Sequence, residues 1–449
     1  MKKSILIVSL FLSILSDSLA QTSPFEKLGK EIQAEQLKND VDVWMDWLHA
    51  THPDLSYTVK DIDHFYEEVE RIKSGITAPM TVLEFWREIS SLNSQLSDGH
   101  LIVGHITGGV VKDYLSKGGV FFPFEVVFDK GDLVIESKLA GEPTEFAGYT
   151  ITRINNLPIT DILNELTPRI NGDSEKHRQV LLQRKFALLH MLFYGESKLY
   201  EVELRKGGDV KMIKANGISA LPKFYHSATF DQVFSFEILD EKNAVVTVNE
   251  FGWENSKDYY DFMDSVFTTL TQRKIDHLII DVRENGGGDD EYWMNGILKY
   301  IADQPYRWGS SYKKKILGRF RDPGEVIGTV IEGEIDTLIQ PAPKLDNRFL
   351  GDVSVLVGPY TYSSAILFAN TVQDYGFGRL VGEPTGGKSG QTGAIQFSSM
   401  PHSGLPMIAP RFYLVRPSGS SPLDPVKPDL MMEYDRLDSK KMLESILRK

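Results

Sequence analysis

Residues 353–390 read VSVLVGPYTYSSAILFANTVQDYGFGRLVGEPTGGKSG, and the order of strand, turn and helix signals in this stretch decides the fold. The stretch begins with a β-branched run, Val353 to Val357, that predicts a buried strand. After a Gly-Pro turn, an apolar-periodic run predicts a helix that ends near Gly376. A second strand and a glycine-rich loop with Lys388 follow. Strands that alternate with helices in this way predict an α/β fold.

Ser363 and Lys388 form the first candidate pair for chemistry in this stretch. Ser363 lies at the predicted helix start, where backbone N–H groups and the positive end of the helix favour an anion. A serine needs a base to become a nucleophile, and a lysine can serve if burial lowers its pKa toward neutrality. On residue types alone, however, a serine there more often caps the helix, and a loop lysine is more often exposed. Both interpretations stay open at this point.

A second candidate segment lies upstream, where the buried strand predicted at 277–282 runs into Arg283-Glu284-Asn285-Gly286-Gly287-Gly288. Glycines directly after a strand let backbone N–H groups point freely into a site, as an oxyanion hole requires. A flexible connector is the alternative. Asp281 and Arg283 are expected to hold this loop in shape.

One motif points to a different function. Residues 382–389, GEPTGGKS, satisfy the phosphate-binding pattern G-x-x-x-x-G-K-[ST]. That loop must open a helix, whereas the residues that follow contain two glycines and a strand-like run. We therefore interpret the match as chance and keep a nucleotide-binding loop at 382–389 as a weak alternative.

Length and composition bound the class of protein. The chain has 449 residues, which predicts two or three domains, and its 41% hydrophobic and 25% charged content is ordinary for a soluble globular protein. The formal net charge of −13 argues against nucleic acid or an anionic membrane as a partner. There is no cysteine, which excludes disulfides and a thiolate nucleophile.

The N-terminus predicts export. Two lysines precede a short apolar run, and Ser18-Leu19-Ala20 forms a small-x-small cleavage site. The run is too short to span a membrane, so residues 1–20 are interpreted as a signal peptide and the protein as periplasmic or secreted. No later segment is expected to be integral to the membrane.

Three regions follow the signal peptide. Residues 21–110 have helical patterns, residues 118–215 have short strand patterns, and residues 225–449 alternate strands and helices. Among the ten histidines, only His100 has a suggestive context, because the turn Asp98-Gly99-His100 could place a base in a cleft. An ordinary turn histidine is the alternative. No metal-ligand spacing such as H-E-x-x-H occurs, and no metal or cofactor is predicted.

Residues 147–159, AGYTITRINNLPI, resemble the G-x-x-I-x-x-I-N-G-x-x-I/V segment of PDZ domains. Such domains bind an extended peptide by adding it to the edge of a sheet. Asn156 replaces the usual glycine, and both residue types tolerate a left-handed turn. A generic hairpin domain is the alternative.

Four segments in order resemble the C-terminal processing peptidases, also called tail-specific proteases, and their tricorn-core relatives. They are the L-x-D-x-H turn at 96–100, the PDZ-like segment at 147–159, the D-x-R-x-N-x-G-G loop at 281–288, and the stretch 353–390. The last is the most specific, because Q-D-Y-G is followed there by G-E-x-T-x-G-K. The family places its nucleophile 25 residues before that lysine, a position that Ser363 occupies here.

The resemblance implies a ClpP/crotonase-like spiral α/β core at 225–449, a PDZ-like domain at 118–215 and a helical N-terminal region. It implies a serine endopeptidase that cuts polypeptides near their C-termini, and it is compatible with a homo-oligomer. The implied nucleophile is Ser363 and the implied base is Lys388. The implied oxyanion hole is Gly287 or Gly288 with the N–H of Ser363 or Ser364. Gln373 and Asp374 would position Lys388 or the helix.

The sequence departs from the family pattern in two places. The family's S-A-S-A-S-E is TYSSAI at 361–366 here, without its acid, and the tail at 423–430 offers Asp424 where a glutamate is expected. The tricorn-like branch takes its base from the turn that matches His100, so His100 is the alternative or auxiliary base to the preferred Lys388. A non-catalytic protein that binds peptides or apolar ligands, like the family's retinoid-binding relatives, is the alternative function.

Overall fold

The computed structural model describes residues 23–433, 435–438 and 440–447. The signal peptide predicted at residues 1–20 lies outside them. Within the described part, no helix is both long enough and apolar enough to cross a bilayer. The described chain folds into mixed α/β structure, which confirms the predicted fold class.

Residues 23–116 are mainly helical, as the spacing of their apolar residues predicts. Their helices and strands are β1 (Glu31–Ile32), α1 (Ala34–Thr51), α2 (Ile62–Gly75), β2 (Met80–Thr81), α3 (Val82–Ile89), β3 (Ile102–Val103) and α4 (Gly108–Ser116). One face of α1 is buried through Leu37, Val41 and Trp44. The loop between α3 and β3 carries His100.

Residues 118–216 form a second unit, built on an antiparallel sheet. Its elements are β4 (Phe124–Asp129), β5 (Asp132–Lys138), β6 (Thr150–Ile154), β7 (Leu157–Pro158), α5 (Ile159–Leu166), α6 (Glu175–Tyr194), β8 (Leu199–Lys206) and β9 (Asp209–Asn216). The strand order is β4-β5-β6-β8-β9, β7 pairs with β6, and α6 packs against the edge strand β4. The predicted turn at Asn155 and Asn156 is left-handed, with φ of 48° and 65°. The likeness of this unit to a PDZ domain stays a prediction.

The remaining described residues form the α/β core. Its elements are α7 (Phe230–Val233), β10 (Phe234–Ile238), β11 (Asn243–Val248), α8 (Ser256–Arg273), β12 (His277–Asp281), α9 (Asp290–Trp293), α10 (Lys299–Ile301), β13 (Ser311–Lys315), β14 (Val330–Glu334), β15 (Asp352–Val357), α11 (Ser364–Tyr375), β16 (Arg379–Gly382), β17 (Gln391–Ser399), β18 (Pro406–Leu414), β19 (Leu430–Met431) and α12 (Lys440–Leu447). A π-helical turn, Met294–Leu298, joins α9 to α10.

The main sheet of the core brings two loops to one edge. Its strand order is β10-β11-β12-β15-β16-β19, and all neighbours are parallel except β10 and β11. Because β12 and β15 are adjacent and parallel, the chain leaves both strands at the same edge of the sheet. These exits are the glycine loop, residues 281–288, and the serine turn, residues 358–363.

A second sheet ties the N-terminal region to the core. Its strands run in the order β14-β13-β18-β17, and β3 also pairs with β18, with Val103 opposite Met407. This pairing holds the Asp98–His100 turn, which directly precedes β3, against the core. Buried apolar residues of the N-terminal region, of the 118–216 unit and of β18 form one continuous hydrophobic core, while the main sheet and its helices form another.

The phosphate-loop alternative is wrong. The loop at 382–389 runs into β17, a strand of nine residues, rather than into a helix. A phosphate-binding loop depends on the N–H groups at the start of a helix.

Candidate active site

Ser363 lies at the end of the serine turn, and its backbone is strained. Its φ is 55° and its ψ is −125°, a conformation that residues with a side chain rarely adopt. Among the described residues its side chain makes no capping hydrogen bond to α11, so the helix-cap interpretation is not supported. A strained serine between a strand and a helix, with its hydroxyl raised out of the turn, is typical of nucleophiles.

The glycine loop holds this turn in place. The N–H of Tyr362 donates to the carbonyl of Asn285 over 3.1 Å, and Thr361 Oγ1 donates to the carbonyl of Val282 over 2.9 Å. Gly287 has φ of 116°, and a Cβ at this position would lie 2.6 Å from Ser363 Cβ. Only glycine lets the loop approach the serine this closely.

His100 is the base within reach of Ser363. Its Nε2 lies 3.0 Å from Ser363 Oγ, and its Nδ1 lies 3.0 Å from Thr392 Oγ1. Thr392 in turn donates its hydroxyl hydrogen to Asp98 Oδ1 over 2.9 Å. While Asp98 is ionised it takes the one hydrogen of the Thr392 hydroxyl, so Thr392 can only accept from Nδ1–H, which leaves the lone pair of Nε2 facing the serine. The tautomer that a general base requires is therefore set by Thr392.

Burial shifts the pKa values of His100 and Asp98 and so sets their charges. Desolvation lowers the pKa of His100 to about 4, against the attraction of Asp173, so the imidazole is neutral at neutral pH. Desolvation, with repulsion from Asp173, raises the pKa of the Asp98 carboxyl to about 7. A neutral imidazole is the form that can accept a proton from a serine.

Tyr362 and Asp173 hold the Asp98–His100 turn next to Ser363. Tyr362 donates its phenol hydrogen to Asp173 Oδ1 over 2.7 Å, and the N–H of Gly99 donates to both groups. The Tyr362 ring also contacts the rings of His100 and His177, with centroids 4.8 Å and 4.3 Å away. Asp173 comes from the segment before α6, so three separate regions of the chain meet here.

Lys388 is directed away from this group. Its Nζ donates to the carbonyls of Tyr57 and Ser97 over 2.9 Å and 3.0 Å, and it lies 4.5 Å from the centroid of the Tyr57 ring. Among the described residues no hydrogen bond joins Lys388 Nζ to Ser363. Burial lowers the pKa of Lys388, as a lysine base requires, but its geometry favours the alternative base, His100.

Four N–H groups were named for the oxyanion hole, and those of Gly288, Ser363 and Ser364 have no acceptor among the described residues. The N–H of Gly287 donates to Asn285 Oδ1 over 2.8 Å and is therefore occupied. No acceptor for the N–H of Gly288 or of Ser364 is found among the described residues. Gly288 has φ of 136°, and a Cβ there would meet the carbonyl oxygen of Phe251 at 2.1 Å, so this position also needs glycine.

The side-chain hydroxyl of Ser364 is held by hydrogen bonds to α9. Its Oγ accepts from Trp293 Nε1 over 3.0 Å and hydrogen-bonds to Asp290. Burial raises the pKa of Asp290 to about 6. This contact fixes the start of α11 to α9.

Gln373 and Asp374 lie at the far end of α11 from Ser363. Ten residues of helix separate Gln373 from the nucleophile, which corresponds to about 15 Å. Asp374 pairs with Arg416 over 2.5 Å, and Gln373 donates to Asp429 Oδ1 over 2.8 Å. Contrary to one expectation, no contact of either residue with Lys388 is found among the described residues; they hold the end of α11 against the C-terminal segments.

Asp281 and Arg283 hold the glycine loop, as the sequence predicts. Arg283 donates to both oxygens of Asp281, over 2.9 Å and 2.6 Å. No group of three or more His, Asp or Glu side chains within the described residues is arranged to hold a metal ion.

Sequence reasoning missed four residues of the site: Thr392, Asp173, Tyr362 and His177. Only Tyr362 has a sequence signal, since it precedes the serine. Asp173 and His177 come from the unit at 118–216, and Thr392 comes from β17. Their roles depend on tertiary contacts that no local pattern encodes.

Comparison with known proteins points to one family. The model of peptidase family S41 matches residues 242–432, which include the glycine loop, Ser363 and Lys388. A search of curated proteins finds no match.

Several solved structures are similar to this chain. Mature CPAF is 12% identical with a TM-score of 0.68, covering 92% of this chain and 96% of its own. Mature CPAF complexed with lactacystin is also 12% identical, with a TM-score of 0.66, covering 92% of this chain and 97% of its own. The photosystem II D1 C-terminal processing protease is 15% identical with a TM-score of 0.48, covering 93% of this chain and 97% of its own. At these identities the likeness to CPAF shows the fold, and the match of residues 242–432 to the model of peptidase family S41 gives the class: the protein is a serine peptidase.

Proposed function

We propose that the protein is an exported endopeptidase that cleaves polypeptides by acyl transfer to Ser363, with His100 as the general base. The observation that carries this proposal is the 3.0 Å distance between Ser363 Oγ and His100 Nε2. A base at about 2.6–3.2 Å from the hydroxyl can take its proton while the oxygen attacks a carbonyl carbon.

The reaction has two stages. In the first, Ser363 Oγ bonds to the carbonyl carbon of the scissile peptide, and its proton passes to His100 Nε2. The imidazolium then gives this proton to the departing amine, which leaves an acyl ester on Ser363. In the second stage, His100 takes a proton from water, the resulting hydroxide attacks the ester, and the proton returns to Ser363.

Thr392 and Asp98 support the base. The hydroxyl of Thr392 accepts from His100 Nδ1–H, and Asp98 accepts from Thr392, so a proton on Nδ1 is stabilised through both. The charge of the Asp98 carboxylate favours the imidazolium that forms during each stage. This pair takes the place of the acid that the sequence comparison expected near Asp424.

The N–H groups of Gly288 and Ser364 are proposed as the oxyanion hole. Both lack an acceptor among the described residues, and Ser364 is the first residue of α11, where the helix dipole favours negative charge. The N–H of Gly287 is occupied by Asn285 and is not proposed as a donor. Two donors aimed at the developing oxyanion would contribute several kilocalories per mole to the rate.

Lys388 is proposed to have a structural role. Its ammonium satisfies two carbonyls of the N-terminal region, and its backbone N–H donates to Asp173 Oδ2 over 2.9 Å. These contacts hold the loop at 382–389 against the Asp98–His100 turn. They use two of the three hydrogens of the ammonium, and no hydrogen bond between Lys388 Nζ and Ser363 is found among the described residues.

The cleavage position and the location of the protein are proposed from the sequence. The unit at 118–216 would hold the extended C-terminal part of a substrate along the edge strand β4, so that cleavage falls near the C-terminus. Residues 1–20 would direct the protein to the periplasm or outside the cell.

The experiment compares cleavage of unfolded polypeptides by the wild type and by Ser363→Ala. The proposal expects the variant to lose activity by at least about three orders of magnitude while its thermal unfolding is unchanged. Ser420→Ala, at an exposed serine, is the control and should cleave normally. Normal cleavage by Ser363→Ala would disprove the nucleophile. No cleavage by the wild type, together with no labelling of Ser363 by a fluorophosphonate, would favour the binding-protein alternative.

A further inference from the structure

Three neighbouring strands of the main sheet, β11, β12 and β15, end beside the active site, and the exit of β11 carries a carboxylate. Strand β11 pairs in parallel with β12, so the residues that follow it, 249–251, leave the sheet at the same edge as the glycine loop. Glu250 is the middle residue of this segment. The segment therefore lies next to the proposed oxyanion hole.

Backbone hydrogen bonds fix this segment against the glycine loop. The N–H of Phe251 donates to the carbonyl of Gly287 over 2.9 Å, and the N–H of Asp289 donates to the carbonyl of Phe251 over 2.7 Å. On the other side, the N–H of Asn249 donates to the carbonyl of the last residue of α7 over 2.9 Å. The backbone of Glu250 is thus held from both sides.

Glu250 lines a cavity in front of the glycines. The cavity has a volume of about 620 Å³, and residues 286–288 form another part of its wall. At Gly287 this wall meets the nucleophile, because a Cβ at Gly287 would lie 2.6 Å from Ser363 Cβ. A substrate that presents its scissile bond to Ser363 therefore also presents a flanking side chain to this cavity.

Ion pairs compensate three of the charged residues that line the cavity. Among the described residues, the charged lining residues are Arg184, Lys223, Glu250 and Glu284. Arg184 pairs with Glu284, and Lys223 pairs with Glu136 over 3.0 Å. No hydrogen bond or ion pair to the carboxylate of Glu250 is found within the described part of the chain. After these pairs are cancelled, one negative charge remains in the cavity.

The walls of the cavity partly shield this carboxylate from water. Burial raises the pKa of Glu250, and no cation of the described residues acts against this shift. A charged group held away from water is costly unless a partner compensates it. The exposed ring of Phe224 lines the same cavity and offers an apolar surface for a long aliphatic side chain. Lysine and arginine side chains combine such an aliphatic part with a cation.

We propose that Glu250 is a specificity-determining residue of the active site, where its carboxylate binds the cationic side chain of a lysine or arginine next to the scissile bond. The uncompensated charge and the position beside the glycine loop both support this role. The inference rests on the proposed function for its substrate, but it concerns which peptide bonds are cleaved and leaves the chemical step unchanged.

The experiment first uses mass spectrometry to map the bonds that the full-length mature protein cleaves in unfolded polypeptides. The best cleaved sequence is then synthesised with lysine, norleucine or glutamate on each side of the scissile bond in turn. Norleucine keeps the aliphatic part of lysine without its charge. The ratio kcat/KM is measured for the wild type, Glu250→Gln and Glu250→Lys. Glu254→Gln is the matched control, because Glu254 is an exposed glutamate of the same loop that lies outside the residues lining the cavity.

In the wild type, lysine should exceed norleucine in kcat/KM by about fivefold at one of the two positions, as expected for one partly exposed ionic contact. Glu250→Gln should remove this difference, and Glu250→Lys should make the glutamate peptide the preferred one. Glu254→Gln should match the wild type, and the thermal unfolding of every variant should be unchanged. Equal kcat/KM for lysine and norleucine at both positions, or a lysine preference that persists in Glu250→Gln, would overturn the proposal.

Binding to Ser363→Ala separates this inference from the proposed function, because binding requires no cleavage. Fluorescence anisotropy gives the Kd of the lysine and norleucine peptides. The lysine peptide should bind about fivefold more tightly, and adding Glu250→Gln should abolish the difference. This result is expected whichever residue is the nucleophile. Equal affinity of Ser363→Ala for the two peptides would overturn the role of Glu250 even if the wild type cleaves polypeptides through Ser363.

Discussion

Replacing Thr392 with valine removes the hydroxyl between His100 and Asp98 while keeping the shape of the side chain. Thr392 is 6% exposed, so water has little access to replace the hydroxyl. The variant therefore separates two roles of this residue, which are packing in β17 and setting the tautomer of the base. We expect the fold to persist and the rate to fall.

The magnitude follows from the contacts that are lost. Thr392 Oγ1 lies 3.0 Å from His100 Nδ1 and 2.9 Å from Asp98 Oδ1, so valine leaves one buried donor and one buried acceptor without this partner. An unsatisfied buried group costs about 1–3 kcal/mol. If this cost falls on the transition state, where the imidazolium forms, kcat drops by about 5- to 150-fold. A shift of the imidazole to the other tautomer would enlarge the loss.

The assay is kcat on a peptide substrate, with thermal unfolding measured in parallel. Thr392→Ser restores the hydroxyl and should recover most of the rate. Thr371→Val is the matched control, because Thr371 is fully buried in α11 and its Oγ1 donates to the carbonyl of Leu367 over 2.8 Å. The stability of Thr371→Val should fall by an amount comparable to that of Thr392→Val, whereas the kcat of Thr371→Val should stay at the wild-type value. A kcat of Thr392→Val within twofold of the wild type would refute the role of the hydrogen bonds from His100 through Thr392 to Asp98.

Three further outcomes follow from the geometry. The acid side of kcat/KM should show two steps, a partial loss near pH 7 as the Asp98 carboxyl gains a proton and a full loss near pH 4, because burial lowers the pKa of His100 to about 4 and only the neutral imidazole accepts a proton; complete loss of activity by pH 5.5 in a pH–rate profile would contradict this. Gly287→Ala should abolish peptide cleavage, since its Cβ would lie 2.6 Å from Ser363 Cβ at φ of 116°, whereas Gly75→Ala, with no atom within 4 Å, should cleave normally. Burial lowers the pKa of His190 from 6.5 to about 4, so between these values only the unfolded chain binds a proton at this residue, and the free energy of unfolding should fall by about 2 kcal/mol through His190 alone as the pH drops from 7 to 4.5. In urea unfolding, His190→Phe should lose this contribution to the acid sensitivity.

Local sequence patterns predict the elements that position Ser363. The strand at 353–357, the helix ending near Gly376 and the strand at 379–382 are all present, as β15, α11 and β16. The glycine loop is also found where the strand pattern ends. These features are set by periodicity and by turn residues, which act over a few neighbouring positions.

The choice of base could not be predicted in the same way. The spacing between Ser363 and Lys388 fixes the position of the lysine backbone but says nothing about the direction of a four-carbon side chain. That direction depends on carbonyls at Tyr57 and Ser97, which are contributed by the N-terminal region. His100 reaches the serine because β3 pairs with β18, a contact between segments about 300 residues apart in the sequence.

The roles of Asp98 and Thr392 could not be predicted from the sequence for a related reason. Thr392 lies three residues after the segment 382–389 that matches the phosphate-loop pattern, and no motif in the sequence includes it. Asp98 was visible only as a turn residue. Each becomes part of a site through the sheet that joins β17, β18 and β3.

The central claim, that His100 rather than Lys388 activates Ser363, is tested most directly by the rate at which a fluorophosphonate acylates Ser363. Mass spectrometry follows the modified peptide in the wild type, His100→Ala and Lys388→Arg. Arginine keeps a cation for the two carbonyls but cannot act as a base, because its pKa stays above about 12. We expect acylation to fall at least about a hundredfold in His100→Ala and to stay within severalfold of the wild type in Lys388→Arg. Rapid acylation of His100→Ala, with none in a folded Lys388→Arg, would contradict the account.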